Sequence, residues 1–316
     1  MHAILSVLLP IFGLILIGFV AARQNWLGQG ATDILNRFVI RLALPAELFL
    51  STAQVTRAQI DHPGFAVAFT LATLATFALG WMFDWFRPAD RMHRLSGAAI
   101  EGLTAGYANT AFMGLPLCLG LFGPSALPAV VIATLVTVCG LFAVAIALVE
   151  LEELAGRSTL QLLARVGLAL LRNPLVFSPL AGAAVNLSGL GLPAAAQQLA
   201  SLLGAATSPC ALVTIGLFLA ETSGRSAPLG AVARVVGLKM LVQPALTALL
   251  VFGVFRIDPA WANQALVLSA LPTGTGPFML ARLYQREADV ASRAILTSTL
   301  LSMVSISAIM AWIAAH

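Results

Sequence analysis

The sequence predicts an all-α polytopic membrane protein of ten transmembrane helices, arranged as two inverted five-helix repeats with the fourth and ninth helices broken at a crossing. Three observations carry this expectation. The 316-residue chain is 59% hydrophobic and only 9% charged, with a mean hydropathy of +0.95, whereas soluble domains carry about 25% charged residues. Landmarks recur between its two halves at a nearly constant spacing. Two apolar segments in corresponding positions are interrupted by polar and helix-breaking residues, a pattern that points to a transporter binding site.

Apolar runs bounded by polar or turn-forming residues place the spans at roughly 3–22, 33–53, 63–86, 95–122, 125–149, 173–188, 194–220, 228–254, 260–283 and 289–314. The first run starts at Ala3 without a basic segment before it and is long enough to cross, so it reads as a retained helix rather than a signal peptide. Between Ser158 and Arg172, Leu and Ala are set against Gln161, Arg165 and Arg172, which reads as an interfacial lead-in to the sixth span or as its tilted start. The first repeat covers 1–150, a short cytoplasmic linker 151–158, and the second repeat 159–316.

Basic residues in the connections set the orientation, because loops rich in Lys and Arg stay in the cytoplasm. With both termini outside, the inner connections hold Arg23, Arg87, Arg91, Arg94, Arg157, Arg165, Arg172, Arg225, Arg282, Arg286 and Arg293, and the outer ones only Arg57 and Arg256. Topology therefore accounts for the pI near 9.5. The charges stand singly rather than in a patch, which argues against nucleic acid as a partner.

The repeat is read from shared landmarks. Pro10 faces Pro174, Pro45 faces Pro209, Pro63 faces Pro228, and Phe112-Met113 faces Phe278-Met279, all at offsets of 164 to 166 residues. Five spans is an odd number, so the second unit enters the membrane in the opposite sense.

An enzyme finds little support. His2, His62, His93 and His316 all lie at ends or in connections, leaving no general base or metal ligand of that type at mid-depth. Cys118, Cys139 and Cys210 lie in apolar segments without metal or redox spacing and read as small buried hydrophobes. No metal or cofactor is implied.

The fourth span runs as an ordinary helix to Gly106-Tyr107-Ala108, then meets Asn109 and Thr110, with Met113, Gly114 and Pro116 following. Pro116 lacks an N–H and crowds the carbonyl of Phe112, so the helix is expected to break or kink there. In the ninth span, Pro272, Thr273, Gly274, Thr275, Gly276 and Pro277 leave little chance of a continuous helix. Gly114, Pro116, Pro272 and Pro277 are the expected breaks. If the two cross near the midplane, the half-helix N-termini offer positive dipole ends and free donors suited to a carboxylate. Asn109, Thr110, Met113 and residues Thr273 to Pro277 are the candidate substrate contacts.

Lys239 lies twelve residues beyond Ala227, roughly 18 Å along a helix and well inside the hydrocarbon. Intramembrane charges are costly and usually functional. Lys239 either adds positive potential to an anion pathway or neutralises helix C-termini at the crossing. The alternatives are snorkelling or a fixed pair with Glu101. Glu47 and Glu101 are the deepest acidic residues, and Glu101 joins Lys239 as a candidate charge in the pathway.

At these residues the chain resembles the auxin efflux carrier family of plants and bacteria. Asn109-Thr110 followed by Met113-Gly114-Leu115-Pro116-Leu117 is similar to the family's fourth-helix signature, and Ala270-Leu271-Pro272 with Pro277-Phe278 and Ala281 to its ninth-helix one. Arg172-Asn173-Pro174 and Ile215-Gly216-Leu217-Phe218 are similar to further family features, so the likeness spans essentially the whole chain. It implies a bile-acid-symporter-like fold in which spans 1, 2, 6 and 7 form a usually dimeric scaffold and spans 3–5 and 8–10 a moving domain. It also implies elevator-type transport of an organic anion with Asn109 as the leading contact. Plant members carry a proline just before the asparagine, where this chain has Ala108.

The resulting expectation is a non-enzymatic carrier of a small organic anion, a mono- or dicarboxylate, in the cytoplasmic membrane. A sodium- or proton-coupled symporter of the same fold is the first alternative, and a non-transporting membrane sensor the second.

Overall fold

The computed structural model describes residues 2–55, 62–86, 93–153, 164, 167–168, 171–172, 174–222, 227–286 and 288–315. In chain order the helices are α1 (His2–Arg23), α2 (Ala31–Phe38), α3 (Leu44–Gln54), α4 (Pro63–Trp85), α5 (Arg94–Gly106), α6 (Leu115–Phe122), α7 (Leu127–Thr134) and α8 (Phe142–Glu153). There follow α9 (Pro174–Ser188), α10 (Ala194–Ala205), α11 (Thr207–Thr222), α12 (Leu229–Gly237), α13 (Gln243–Ala248), α14 (Pro259–Ser269), α15 (Gly276–Leu283) and α16 (Asp289–Ala315). Among the described residues the fold is all-α apart from one isolated antiparallel bridge between Ala108 and Thr273.

Stretches of π-helix join several of these into longer rods. Those at Val39–Ala43, Thr110–Gly114 and Leu238–Val242 each run directly into an α-helix whose second residue is proline, namely Pro45, Pro116 and Pro244. A proline inside a helix forfeits a hydrogen bond to the carbonyl four residues back. A π turn shifts the bonding to five residues and lets the rod continue through the proline.

Among the described residues five helices are long and apolar enough to cross a bilayer, at Pro63–Trp85, Pro124–Glu153, Ala194–Glu221, Leu229–Val254 and Asp289–Ile313. Shorter apolar helices lie at Leu8–Arg23, Thr110–Phe122 and Pro174–Ser188. Leu9, Leu16, Leu71, Leu241 and Val304 expose apolar surface along these rods, as lipid-facing positions should. The chain is thus a multi-pass membrane protein. The linker at 154–158, most of the lead-in over 158–172, and Arg57, Arg87, Arg91, Arg157, Arg165 and Arg225 lie outside the described residues.

The segments group into two compact units. The first comprises Met1–Pro63, Ala111–Ile132 and Leu171–Ser223. Within it α1 packs along α11 and α9 along α3. A Cβ on Gly18 would collide with the backbone of Val213, and one on Gly182 with the backbone of Phe49. Gly18 and Gly182 are 164 residues apart, and so are Phe49 and Val213. The two close approaches are therefore one contact made twice, and they give the packing its pseudo-symmetry in the register read from the sequence. Asn186 Nδ2 closes the end of α3 by donating to the carbonyls of Ala53 (2.9 Å) and Val55 (2.7 Å).

The second unit comprises Gly64–Thr110, Ala133–Leu170 and Gly224–His316. Phe77, Ile100, Leu103, Leu141, Ile146 and Leu280 form one buried cluster, and Ala105, Val232, Val235 and Ala294 belong to another. At the N-terminus of α5, Glu152 from α8 accepts from the Leu95 amide (2.8 Å), the Ser96 amide (3.2 Å) and Ser96 Oγ (2.5 Å). This remote carboxylate satisfies donors that the start of a helix leaves without partners. Arg286 donates to Ser96 Oγ (2.9 Å) and pairs with Glu153, tying the end of α15 to the same corner.

Candidate functional site

Both interruptions expected from the sequence are present in the second unit, and they bond to each other. α5 ends at Gly106, and Tyr107 turns into extended backbone (φ −83°, ψ 90°). α14 ends at Ser269, and the chain stays non-helical until α15 begins at Gly276. Ala108 and Thr273 pair as a bridge. The Asn109 amide donates to the Pro272 carbonyl (2.9 Å), and the Gly274 amide to the Tyr107 carbonyl (3.0 Å). These two bonds satisfy backbone groups that broken helices leave orphaned in a hydrocarbon environment.

The exchange is symmetric. Residues 108 and 273, 109 and 274, and 107 and 272 all differ by 165. Each residue of the bridge therefore pairs with its own repeat mate.

One prediction about the break is corrected. Gly114 and Pro116 do not interrupt the helix; the interruption lies earlier, at Tyr107 to Asn109, and the chain is helical from Thr110 onward. The π turn over Thr110–Gly114 accommodates Pro116, which sits in the first turn of α6 within a continuous helical rod. Pro277 likewise sits in the first turn of α15, and Pro272 lies within the break itself. Met113, Gly114 and Pro116 belong to the first unit, whereas Asn109, Thr110 and Thr273 to Pro277 belong to the second.

The predicted contacts divide by what their polar atoms already do. Thr273 is spent on the fold: its amide donates to Ser298 Oγ (3.1 Å) and its hydroxyl to the Thr104 carbonyl (3.1 Å). Thr110 Oγ1 meets Thr137 Oγ1 at 2.9 Å, and Thr137 donates to the Ala133 carbonyl (2.9 Å), so Thr110 is the donor to Thr137. Among the described residues Thr275 Oγ1 has only a 4.0 Å contact with Met279 Sδ. Asn109 is different from the other three. Its residue is 6% exposed, yet among the described residues its side-chain amide has no hydrogen-bond partner. That amide is not one of the fully enclosed polar atoms, so it reaches the small exposed surface of the residue and stands open to a polar ligand.

Gly274 and Gly276 have a steric reason. A Cβ on Gly274 would lie 3.0 Å from the Tyr107 ring and 3.3 Å from the Asn109 Cα, and one on Gly276 2.6 Å from the ring. The ring packs edge-on against Phe142, 6.2 Å between centroids. Tyr107 thus seats the second break beside Asn109, and Gly276 brings the start of α15 there. That start presents the positive end of the helix dipole.

The two intramembrane charges are placed differently from each other. Lys239 has no exposed surface, which excludes snorkelling, and its Nζ donates to the Ser269 carbonyl (2.7 Å) at the end of α14. Glu101 pairs with Arg234 (2.7 Å) rather than with Lys239. One turn beyond Lys239, Gln243 Nε2 donates to the Gly106 carbonyl at the end of α5 and to Thr73 Oγ1, both at 3.2 Å. Tyr107, Thr137, Gln243, Ser269 and Ser298 had not been singled out. The detectable signal was Gln243, a buried amide four residues after Lys239 in an apolar span.

A family model described as "Membrane transport protein" matches residues 3–310. A relative named "Putative malonate transporter" in Rhizobium meliloti (strain 1021) is 29% identical over 98% of this chain and 96% of its own length. The "Uncharacterized transporter YfdV" of Escherichia coli (strain K12) is 26% identical, covering 87% of this chain and 86% of its own. The "Uncharacterized transporter MJ1031" of Methanocaldococcus jannaschii is 24% identical over 98% of each. With the broken, cross-bonded helices these matches agree with the resemblance carried by the signatures around Asn109 and Pro272: the chain belongs to the membrane transport protein family, the auxin-efflux-carrier-like transporters, and is not an enzyme.

Proposed function

We propose that the protein is a secondary carrier of a small organic anion, bound at the crossing by Asn109, Thr275 and the first-turn amides of α15. The observation that carries this reading is the buried and unpartnered Asn109 amide, held by a backbone bond to Pro272 beside a helix N-terminus. An amide that offers both donor and acceptor, next to a positive dipole end, suits a carboxylate that must shed its water. The name of the Rhizobium meliloti relative makes malonate the first probe.

The carrier comprises ten transmembrane helices in two inverted repeats, lies in the cytoplasmic membrane with both termini outside, and forms a homodimer through its scaffold. The repeated Gly18–Val213 and Gly182–Phe49 contacts support the duplication. The first unit, built mainly from spans 1, 2, 6 and 7, serves as the scaffold, and the second, which holds Asn109 and the α15 start, as the moving body of an elevator. The grouping of segments supports this division, with residues 111–132 joining the scaffold side.

The test is uptake of labelled malonate and other short mono- and dicarboxylates into proteoliposomes. The reading expects saturable uptake of at least one of them. Absence of uptake across the series, by protein that remains folded, would refute it.

A further inference from the structure

The pairing of the two arms sorts their side chains by face. Residues along an extended segment alternate between its two sides, so the bridge partners Ala108 and Thr273 share one side, and Tyr107, Asn109 and Gly274 share the other. Ala108 and Thr273 have no exposed surface. On the other side the Tyr107 ring, held edge-on by Phe142, reaches across the second arm. A Cβ on Gly276 would lie 2.6 Å from Tyr107 Cζ, the carbon that bears the hydroxyl, so the hydroxyl sits beside the start of α15. A buried tyrosine hydroxyl ordinarily finds a hydrogen-bond partner. The chain has two tyrosines, and Tyr284 follows the rule by donating to Glu150 (2.8 Å). Among the described residues the half-buried Tyr107 has no partner for its hydroxyl, which is not one of the fully enclosed polar atoms and stands open as the Asn109 amide does.

We infer that the Tyr107 hydroxyl binds a second carboxylate of the substrate, so that Tyr107 is the residue that makes the crossing prefer a short dicarboxylate to a monocarboxylate. The inference rests on reading the crossing as the substrate site. Same-side residues of an extended segment are about 6.6 Å apart, a spacing that suits two acceptor groups joined by a short carbon chain rather than one carboxylate. The Asn109 amide and the dipole end of α15 hold one carboxylate, and Tyr107 Oη donates to the other. Hydrogen bonds to ionised acceptors are the strong ones, so a single hydroxyl is enough to discriminate. The repeat mates of Tyr107 and Asn109 are Pro272 and Gly274, neither of which has a polar side chain. Both side-chain donors therefore come from the first arm, and the second arm supplies room for the ring.

The test compares malonate with monomethyl malonate, which keeps the carbon chain and has one carboxylate esterified. Binding of each to the purified protein is read from the rise of the thermal midpoint over a concentration series, for wild type and for Tyr107→Phe, which keeps the ring and loses the hydroxyl. Wild type should bind malonate at least about tenfold more tightly than the ester, and Tyr107→Phe should bind the two within about threefold by losing affinity for malonate. Without ligand the variant should melt within about 1 °C of wild type, because the hydroxyl bonds nothing in the fold. Absence of any preference in wild type would overturn the inference, as would a variant that keeps the wild-type preference. An equal loss of affinity for both ligands would also overturn it, by making Tyr107 a positioning residue, and so would a ligand-free variant that fails to fold or melts more than about 3 °C lower, by giving the hydroxyl a structural role. The assay needs no flux, so absence of malonate uptake into proteoliposomes bears on the transport reading alone. Malonate uptake by wild type that shows no binding preference would refute dicarboxylate selection and leave the carrier standing.

Discussion

The two arms of the crossing have the same backbone role and different side-chain chemistry. Ala108 bridges its repeat mate Thr273, 165 residues away, and on either side of it the Asn109 amide bonds to Pro272 and the Gly274 amide to Tyr107, two donors that are repeat mates bonding two acceptors that are repeat mates. The first arm carries the large groups, a ring and an amide. The second carries a proline and a glycine, which make room for that ring. Behind the arms the asymmetry is reversed: Lys239 holds the second broken helix, while the equivalent position in the first repeat is Leu74. Backbone symmetry builds the crossing, and the departures from it locate the proposed ligand amide and the buried lysine.

Changes that erase one arm's distinct chemistry should have the largest effect. Asn109→Ala leaves the first arm as featureless as its mate, and malonate uptake should fall at least about tenfold, since hydrogen bonds to charged groups contribute about 1.5–3 kcal/mol. The variant should keep its thermal midpoint, because the amide bonds nothing in the fold. Gly276→Ala drives a methyl into the Tyr107 ring and should cost about 1–3 kcal/mol of stability. Adding Tyr107→Leu should recover part of that loss in the same melt. Gly182→Ala, in the first unit, presses on the Phe49 backbone and should destabilise by a similar amount. Its KM for malonate should not change, and a changed KM would break the division of labour between the units. Thr273→Val is the mildest, removing the bond to the Thr104 carbonyl for about 1 kcal/mol.

Much of this was legible before the structure, and the remainder has physical reasons. Composition and apolar runs revealed the membrane helices, and the prolines and phenylalanines spaced by 164 to 166 residues found the register that the Gly18 and Gly182 contacts repeat. Asn109 and the Pro272–Gly276 loop stood out because polar and helix-breaking residues are rare at that depth. Pro116 misled because a local rule places the break at the proline, whereas a π turn upstream carries the helix through it. The hydroxyls of Thr110 and Thr273 looked available for a ligand because their partners, Thr137 and Thr104, come from other helices far along the chain. Partner choice of that kind is tertiary information. So is the pairing of Glu101 with Arg234, which left Lys239 to the end of α14.

The most direct test of the central claim is binding and uptake measured on one pair of proteins, wild type and Asn109→Ala. Labelled malonate, with the other short carboxylates as competitors, is presented to proteoliposomes holding equal amounts of folded protein. The account predicts saturable uptake by wild type and a loss of at least about tenfold in the variant. Equal uptake by the two proteins would contradict it, because the Asn109 amide would then have no part in holding the substrate.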